Sequence, residues 1–104
     1  MAHELVWSPE ALEDVEQVAT YIARDSEWYA QAVVIRILAA AETLTEHPSR
    51  GRIVPEAQRE SLREIFVYSY RLIYEVRADL VTIVAVAHGH RLLDPLLGRM
   101  PDEI

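Results

Sequence analysis

Three apolar segments near the C-terminal half, residues 63–67, 70–76 and 80–87, are joined by connections too short for anything but antiparallel hairpins. From Tyr70 to Val76 the alternation is clean: Tyr70, Leu72, Tyr74 and Val76 fall on one side, Arg71, Ile73 and Glu75 on the other. This period of two is that of a strand. Arg63 to Val67 places Ile65 and Val67 on one face, and Leu80 to Ala87 is apolar on both, the pattern of a strand covered on each side. Tight connections at Ser69 and near Ala78-Asp79 make the three an antiparallel meander.

The N-terminal half reads in a different period. Leu5-Val6-Trp7 is a short apolar run, predicting a strand over 3–7. Ser8 is a good helix N-cap and Pro9 a good first helical residue, with Glu10, Glu13 and Asp14 near the positive end of the helix. Leu12, Val15, Val18, Ala19 and Ile22 recur at helical spacing through about Arg24. Asp25-Ser26 caps a second helix that buries Ala30, Val33, Val34, Ile37, Leu38, Ala41 and Leu44 and is stopped by Pro48. So short a connection makes the helices an antiparallel hairpin. Its Val15/Val18/Ile22 and Val34/Ile37/Leu38 stripes are expected on one sheet face, against residues 80–87. Residues 48–61, with Pro48, Gly51 and Pro55, read as a loop, and 92–104 as an irregular tail. The fold class is therefore α+β, a single domain over 1–104.

Composition removes several functions. Without cysteine there are no disulfides, thiol chemistry or thiolate metal sites. No apolar run approaches the ~18 residues that cross a bilayer, and nothing resembles a secretory signal, so a cytoplasmic protein is expected. The net charge of −7 is uneven: residues 1–46 hold nine acids against two arginines, and 47–104 hold eight of each. All ten basic residues are arginine, whose planar fork favours bidentate contacts over diffuse attraction to nucleic acid.

Three groups of residues carry potential chemistry. His88-Gly89-His90-Arg91 closes the last strand, where two histidines two apart share a face and offer proton transfer; zinc would need a third ligand, and no metal or cofactor is expected. Arg50, Arg52, Arg59, Arg63 and Arg71 form a series in which Arg63 and Arg71, on neighbouring strands, are candidates to gather around a phosphate; pairing with Glu64 or Glu75 is the plainer alternative. Trp28, Tyr29, Phe66, Tyr68, Tyr70 and Tyr74 suit base stacking or, more simply, packing on the sheet.

The order of segments has a family resemblance. Val6-Trp7-Ser8-Pro9-Glu10-Ala11-Leu12, a helical pair, Pro48-Ser49-Arg50-Gly51-Arg52-Ile53-Val54-Pro55-Glu56, Leu62-Arg63-Glu64-Ile65, Tyr70-Arg71-Leu72-Ile73-Tyr74 and Val86-Ala87-His88-Gly89-His90-Arg91 together resemble the RelE/ParE toxin superfamily, from about residue 4 to 93. The resemblance implies a β-α-α-β-β-β fold and the toxin of a type II toxin–antitoxin system of the plasmid-stabilisation type, neutralised by a cognate antitoxin. ParE-like members inhibit DNA gyrase; RelE-like members are metal-independent endoribonucleases that cleave messenger RNA on the ribosome. Carried across by position, Arg63 and Arg71 match the sheet arginines of the ribonucleases, and His88, His90 and Arg91 their C-terminal catalytic neighbourhood. The lack of lysine and the acidic charge favour the ParE-like branch, with a non-catalytic interaction module as a further alternative. The antitoxin is expected along the arginine-bearing side.

Overall fold

A computed structural model describes residues 2–57 and 59–89. The chain runs β1 (Glu4–Trp7), α1 (Pro9–Ala23), α2 (Glu27–Thr43), β2 (Arg52–Ile53), β3 (Leu62–Val67), β4 (Tyr70–Arg77) and β5 (Leu80–His88). The expected α+β class, helical hairpin and antiparallel meander are all present. The tail 92–104 lies outside the described residues.

Both helices start where their caps dictate. Ser8 Oγ accepts the Ala11 N–H at 3.1 Å, and Ser26 Oγ accepts the Tyr29 N–H at 3.0 Å. α1 buries Ala11, Asp14, Val15 and Ile22; α2 buries Ala30, Val33, Ile37 and Ala41. Leu12 and Leu38, assigned above to these stripes, are instead exposed. Each sits one residue, about 100° of helix rotation, away from a buried neighbour, and that carries it off the sheet.

The sheet order is β1-β5-β4-β3-β2. β1 pairs parallel with β5, from Glu4↔Leu80 to Trp7↔Ile83, which makes β5 interior as its apolar composition requires. The loop reading of 48–61 missed β2, whose two residues pair with Glu64 and Arg63 at the sheet edge. Two-residue turns join β3 to β4 and β4 to β5, and each begins with a residue at positive φ, Tyr68 (55°) and Ala78 (50°).

The two faces of the sheet have different covers. Against the hairpin lie Ile65, Val67, Leu72, Tyr74, Val81, Ile83 and Val86, packed with Val33, Ile37 and Leu44. On the opposite face Leu62, Ile73, Val84, Ala85 and Ala87 form a smaller cluster with Val54. Residues 54–57 and 59–61 supply that second cover. The chain leaves α2 on the helical side, passes the edge as β2, and returns across the far face as a strap.

Candidate functional site

The sheet arginines are placed by strand parity. β3 and β4 pair so that Arg63 faces Tyr74 and Phe66 faces Arg71. Opposed residues share a face and neighbours along a strand alternate, so Arg63 and Arg71 point to opposite sides of the sheet. Arg63 lies on the helical side, where it donates to the Gly51 carbonyl at 2.7 Å. Arg71 lies on the strap side, almost fully buried. The two cannot hold one phosphate between them.

His88 is separated from Arg71 by a second effect. β5 carries a bulge: Ile73 pairs with Ala85 but Tyr74 with Ile83, leaving Val84 as an inserted residue. Beyond it the side-chain phase is reversed, and His88, opposite Tyr70, emerges on the helical side. Its ring meets Tyr70 edge-on, with centroids 5.8 Å apart. It shares that side with Arg63, but four residues along β3 (roughly 13 Å) and two strands across (roughly 10 Å) intervene. His90 and Arg91 lie outside the described residues.

What Arg71 does is visible in its partners. Its Nε donates to Glu64 Oε1 at 2.7 Å, with Nη2 on the same oxygen, while Nη1 and Nη2 reach the two Glu56 oxygens at 3.0 and 3.2 Å. Glu64 is fully buried and its second oxygen accepts from Arg52 Nε at 2.5 Å. The hydrogen bond from Arg71 holds the Glu56 carboxyl below its usual value of 4.5, and the same contact raises the pKa of Arg71. Glu56 belongs to the strap, so this bidentate pair is a latch.

Other polar groups of the sheet hold residues on either side of β2. Arg59 reaches Glu75 at 3.4 Å, and the Ser61 hydroxyl lies at the same distance from the same oxygen. The Tyr74 hydroxyl, buried and therefore raised in pKa, donates to the Pro48 carbonyl at 2.8 Å and accepts the Gly51 N–H at 2.9 Å. A Cβ at Gly51 would stand 2.6 Å from both the Tyr74 hydroxyl and the Glu64 carbonyl oxygen, so only glycine fits. Arg63, Glu64, Arg71, Tyr74 and Glu75 thus position residues 48–57 and 59–61. The sequence reading found Glu64 as a possible arginine partner but missed Glu56, whose place beside Arg71 depends on the path of the strap.

The aromatic set divides. Tyr74 is core and Tyr70 half-buried, whereas Trp28, Tyr29, Phe66 and Tyr68 are exposed. Tyr29 and Tyr68 touch at a ring separation of 6.3 Å. The outer side of α2 adds Ile35 and Leu38, so this helix has apolar residues on both its sides while α1 turns mostly polar ones outward. Among the described residues no group of three or more His, Asp or Glu is placed to hold a metal ion, and no helix is long and apolar enough to cross a membrane.

Comparison with known proteins matches residues 5–93 to the family described as the ParE toxin of the type II toxin–antitoxin system parDE. Toxin RelE2 of Caulobacter vibrioides is 36% identical over 89 residues, spanning 86% of this chain and 98% of its own. Among solved structures, the chromosomal ParDE system from P. aeruginosa aligns with a TM-score of 0.70 at 16% identity, covering 84% of this chain and 96% of that one. The RelBE2 toxin–antitoxin complex from Mycobacterium tuberculosis aligns at 0.63 and 17%, covering 85% and 99%.

Proposed function

This chain belongs to the ParE toxin family and is a toxin of a type II toxin–antitoxin system, and from that premise we propose that it acts in the ParE manner, by inhibiting DNA gyrase in the cytoplasm, without catalytic chemistry of its own. One observation carries the reading: the three described residues of the ribonuclease set do not converge. Arg63 and His88 occupy distant parts of one face, and Arg71 is buried on the other between two carboxylates. Metal-free RNA cleavage needs a base near the 2′-hydroxyl, an acid for the leaving group and cations for the phosphorane, all at one point.

The ribonuclease alternative keeps one feature in its favour, the partly exposed Glu56 carboxylate beside the Arg71 guanidinium. A general base works best with a pKa near the working pH, however, and Arg71 moves Glu56 the wrong way. The cognate antitoxin would cover the outer side of α2 rather than the arginines, because Trp28 and Ile35 stand exposed there while the arginines of the strap face are internally paired.

The test sets gyrase supercoiling beside ribosome-dependent RNA cleavage, using wild type, His88→Ala/His90→Ala and Arg63→Ala. Inhibited supercoiling with an induced DNA-damage response, retained by the histidine variant, is the expected result. Rapid messenger decay that disappears with the histidines would establish the ribonuclease instead.

A further inference from the structure

α2 buries Ala30, Val33, Ile37 and Ala41, and half a turn away it presents a second stripe, Trp28, Gln31, Ala32, Ile35, Arg36 and Ala39. Their spacing of i, i+3, i+4, i+7, i+8 and i+11 puts all six on one outward face. Trp28 is 77% exposed and Ile35 66%, the two most exposed large apolar side chains of the helix. The six residues line a shallow hollow of about 520 Å³, with Tyr68 from the β3–β4 turn as its far wall. Acids are missing from this stretch. Residues 28–41 carry Arg36 as their one charge, whereas α1 has Glu10, Glu13, Asp14 and Glu16 and the whole chain has a net charge of −7. Copies of so acidic a chain repel each other, and that repulsion is relieved along the middle of α2.

We propose that this face is an interface between two copies of the chain, α2 packing antiparallel on α2 about a two-fold axis between Val33 and Val34. In that register Trp28 lies opposite Ala39 of the second copy, Ile35 opposite its Ala32, and Arg36 opposite its Gln31. Each large apolar side chain meets an alanine, and each guanidinium meets an amide oxygen that can accept from it. The stripe is complementary to itself, as a two-fold interface requires. Glu27, one turn before Gln31, stands within the length of the same arginine side chain and adds the opposite charge. A groove for an unrelated helix demands no such match, and self-matching about one axis is what singles out a second copy. The alanines let the helix axes approach to about 8 Å. The stripe is roughly 17 Å long on a helix roughly 10 Å wide, well below the ~800 Å² per partner of a standard interface. The dimer is therefore of the weak class, with Trp28 and Ile35 carrying its affinity. The antitoxin proposed above takes the same face, so the dimer is a form of the free chain, and its register does not rest on the toxin reading.

Sedimentation of the full chain from ~1 µM to ~1 mM should show a monomer–dimer equilibrium with its midpoint inside that range, as expected of a small interface. Trp28→Ala and Ile35→Arg, both at exposed positions, should each weaken dimerisation about thirtyfold or more while leaving the unfolding midpoint unchanged. Gln31→Arg sets two guanidinium groups opposite each other and should dissociate the dimer. Gln31→Arg/Arg36→Gln exchanges the pair and should restore it. A chain that stays monomeric at ~1 mM overturns the proposal and leaves the face to the antitoxin. A dimer indifferent to Trp28→Ala and Ile35→Arg, or one that the exchange variant does not restore, overturns it as well. The readout is mass, so its failure leaves gyrase inhibition standing, and the failure of gyrase inhibition leaves the dimer standing.

Discussion

The helical face of the sheet and the strap face are both buried, but by different physics. On the helical face Val33, Ile37 and Leu44 meet Leu72, Tyr74 and Ile83, all fully buried, and each such side chain contributes about 1.5–3 kcal/mol. Two helices bring enough apolar area to hold themselves. The strap brings little, with Val54 and Ala57 over Leu62, Ile73 and Ala85. What it lacks in area it makes up in directional contacts, through Glu56–Arg71 and Arg59–Glu75. A thin cover must be held at defined points, and arginine's fork suits that task. Arginines along a toxin's sheet are therefore weak evidence of a phosphate site until their partners are known.

The sharpest way to break this contrast is Glu64→Ala. It leaves the buried Arg71 guanidinium with only the half-exposed Glu56, at a cost of about 3–5 kcal/mol in urea unfolding. The double variant Glu64→Leu/Arg71→Leu should recover most of that loss, because no charge is then left uncompensated. If it does not recover, the strap face is held by shape and not by charge.

Ile37→Ala probes the other face. A cavity under α2 should cost about 2–5 kcal/mol, nearer the lower value if the hairpin settles inward. The expected signature is a lower unfolding midpoint with an unchanged urea slope.

Glu56→Gln should have the smallest effect, below about 1 kcal/mol at neutral pH, since Glu56 is partly in solvent. Its value lies in the pH dependence. Arg71 depresses the folded pKa of Glu56, so the contribution of the latch is complete above the ordinary carboxyl value of 4.5 and is lost as the pH falls through the folded value. Unfolding followed from pH 6 to pH 3 should show a shallower acid loss for the variant than for wild type. Parallel curves would mean the latch does not hold the strap.

Much of this was legible in the sequence, for identifiable reasons. Ser8-Pro9 and Ser26 mark the helix starts because capping is local chemistry, and β4 declares itself by alternation. The sequence reading gathered Arg63 and Arg71 around one phosphate, although their opposite facing could have been read from the spacing. A two-residue turn at 68–69 makes opposed residues differ in parity, so two odd-numbered positions on these strands cannot share a face. The bulge at Val84 was hidden because Leu80–His88 is apolar on both faces, and a phase shift leaves no trace in such a run. β2 is two residues long and has no period to detect. The Glu56–Arg71 latch joins residues 15 apart through an irregular segment, beyond what spacing can predict.

The parallel pairing of β1 with β5 has a consequence in time. Glu4 waits for Leu80, 76 residues later, before its strand has a neighbour. At ~5–20 residues per second the ribosome takes roughly 4–15 s to make that interval. Until then Leu5 and Trp7 have no strand to join. The sheet of a growing chain therefore stays incomplete on its β1 side until β5 has been made.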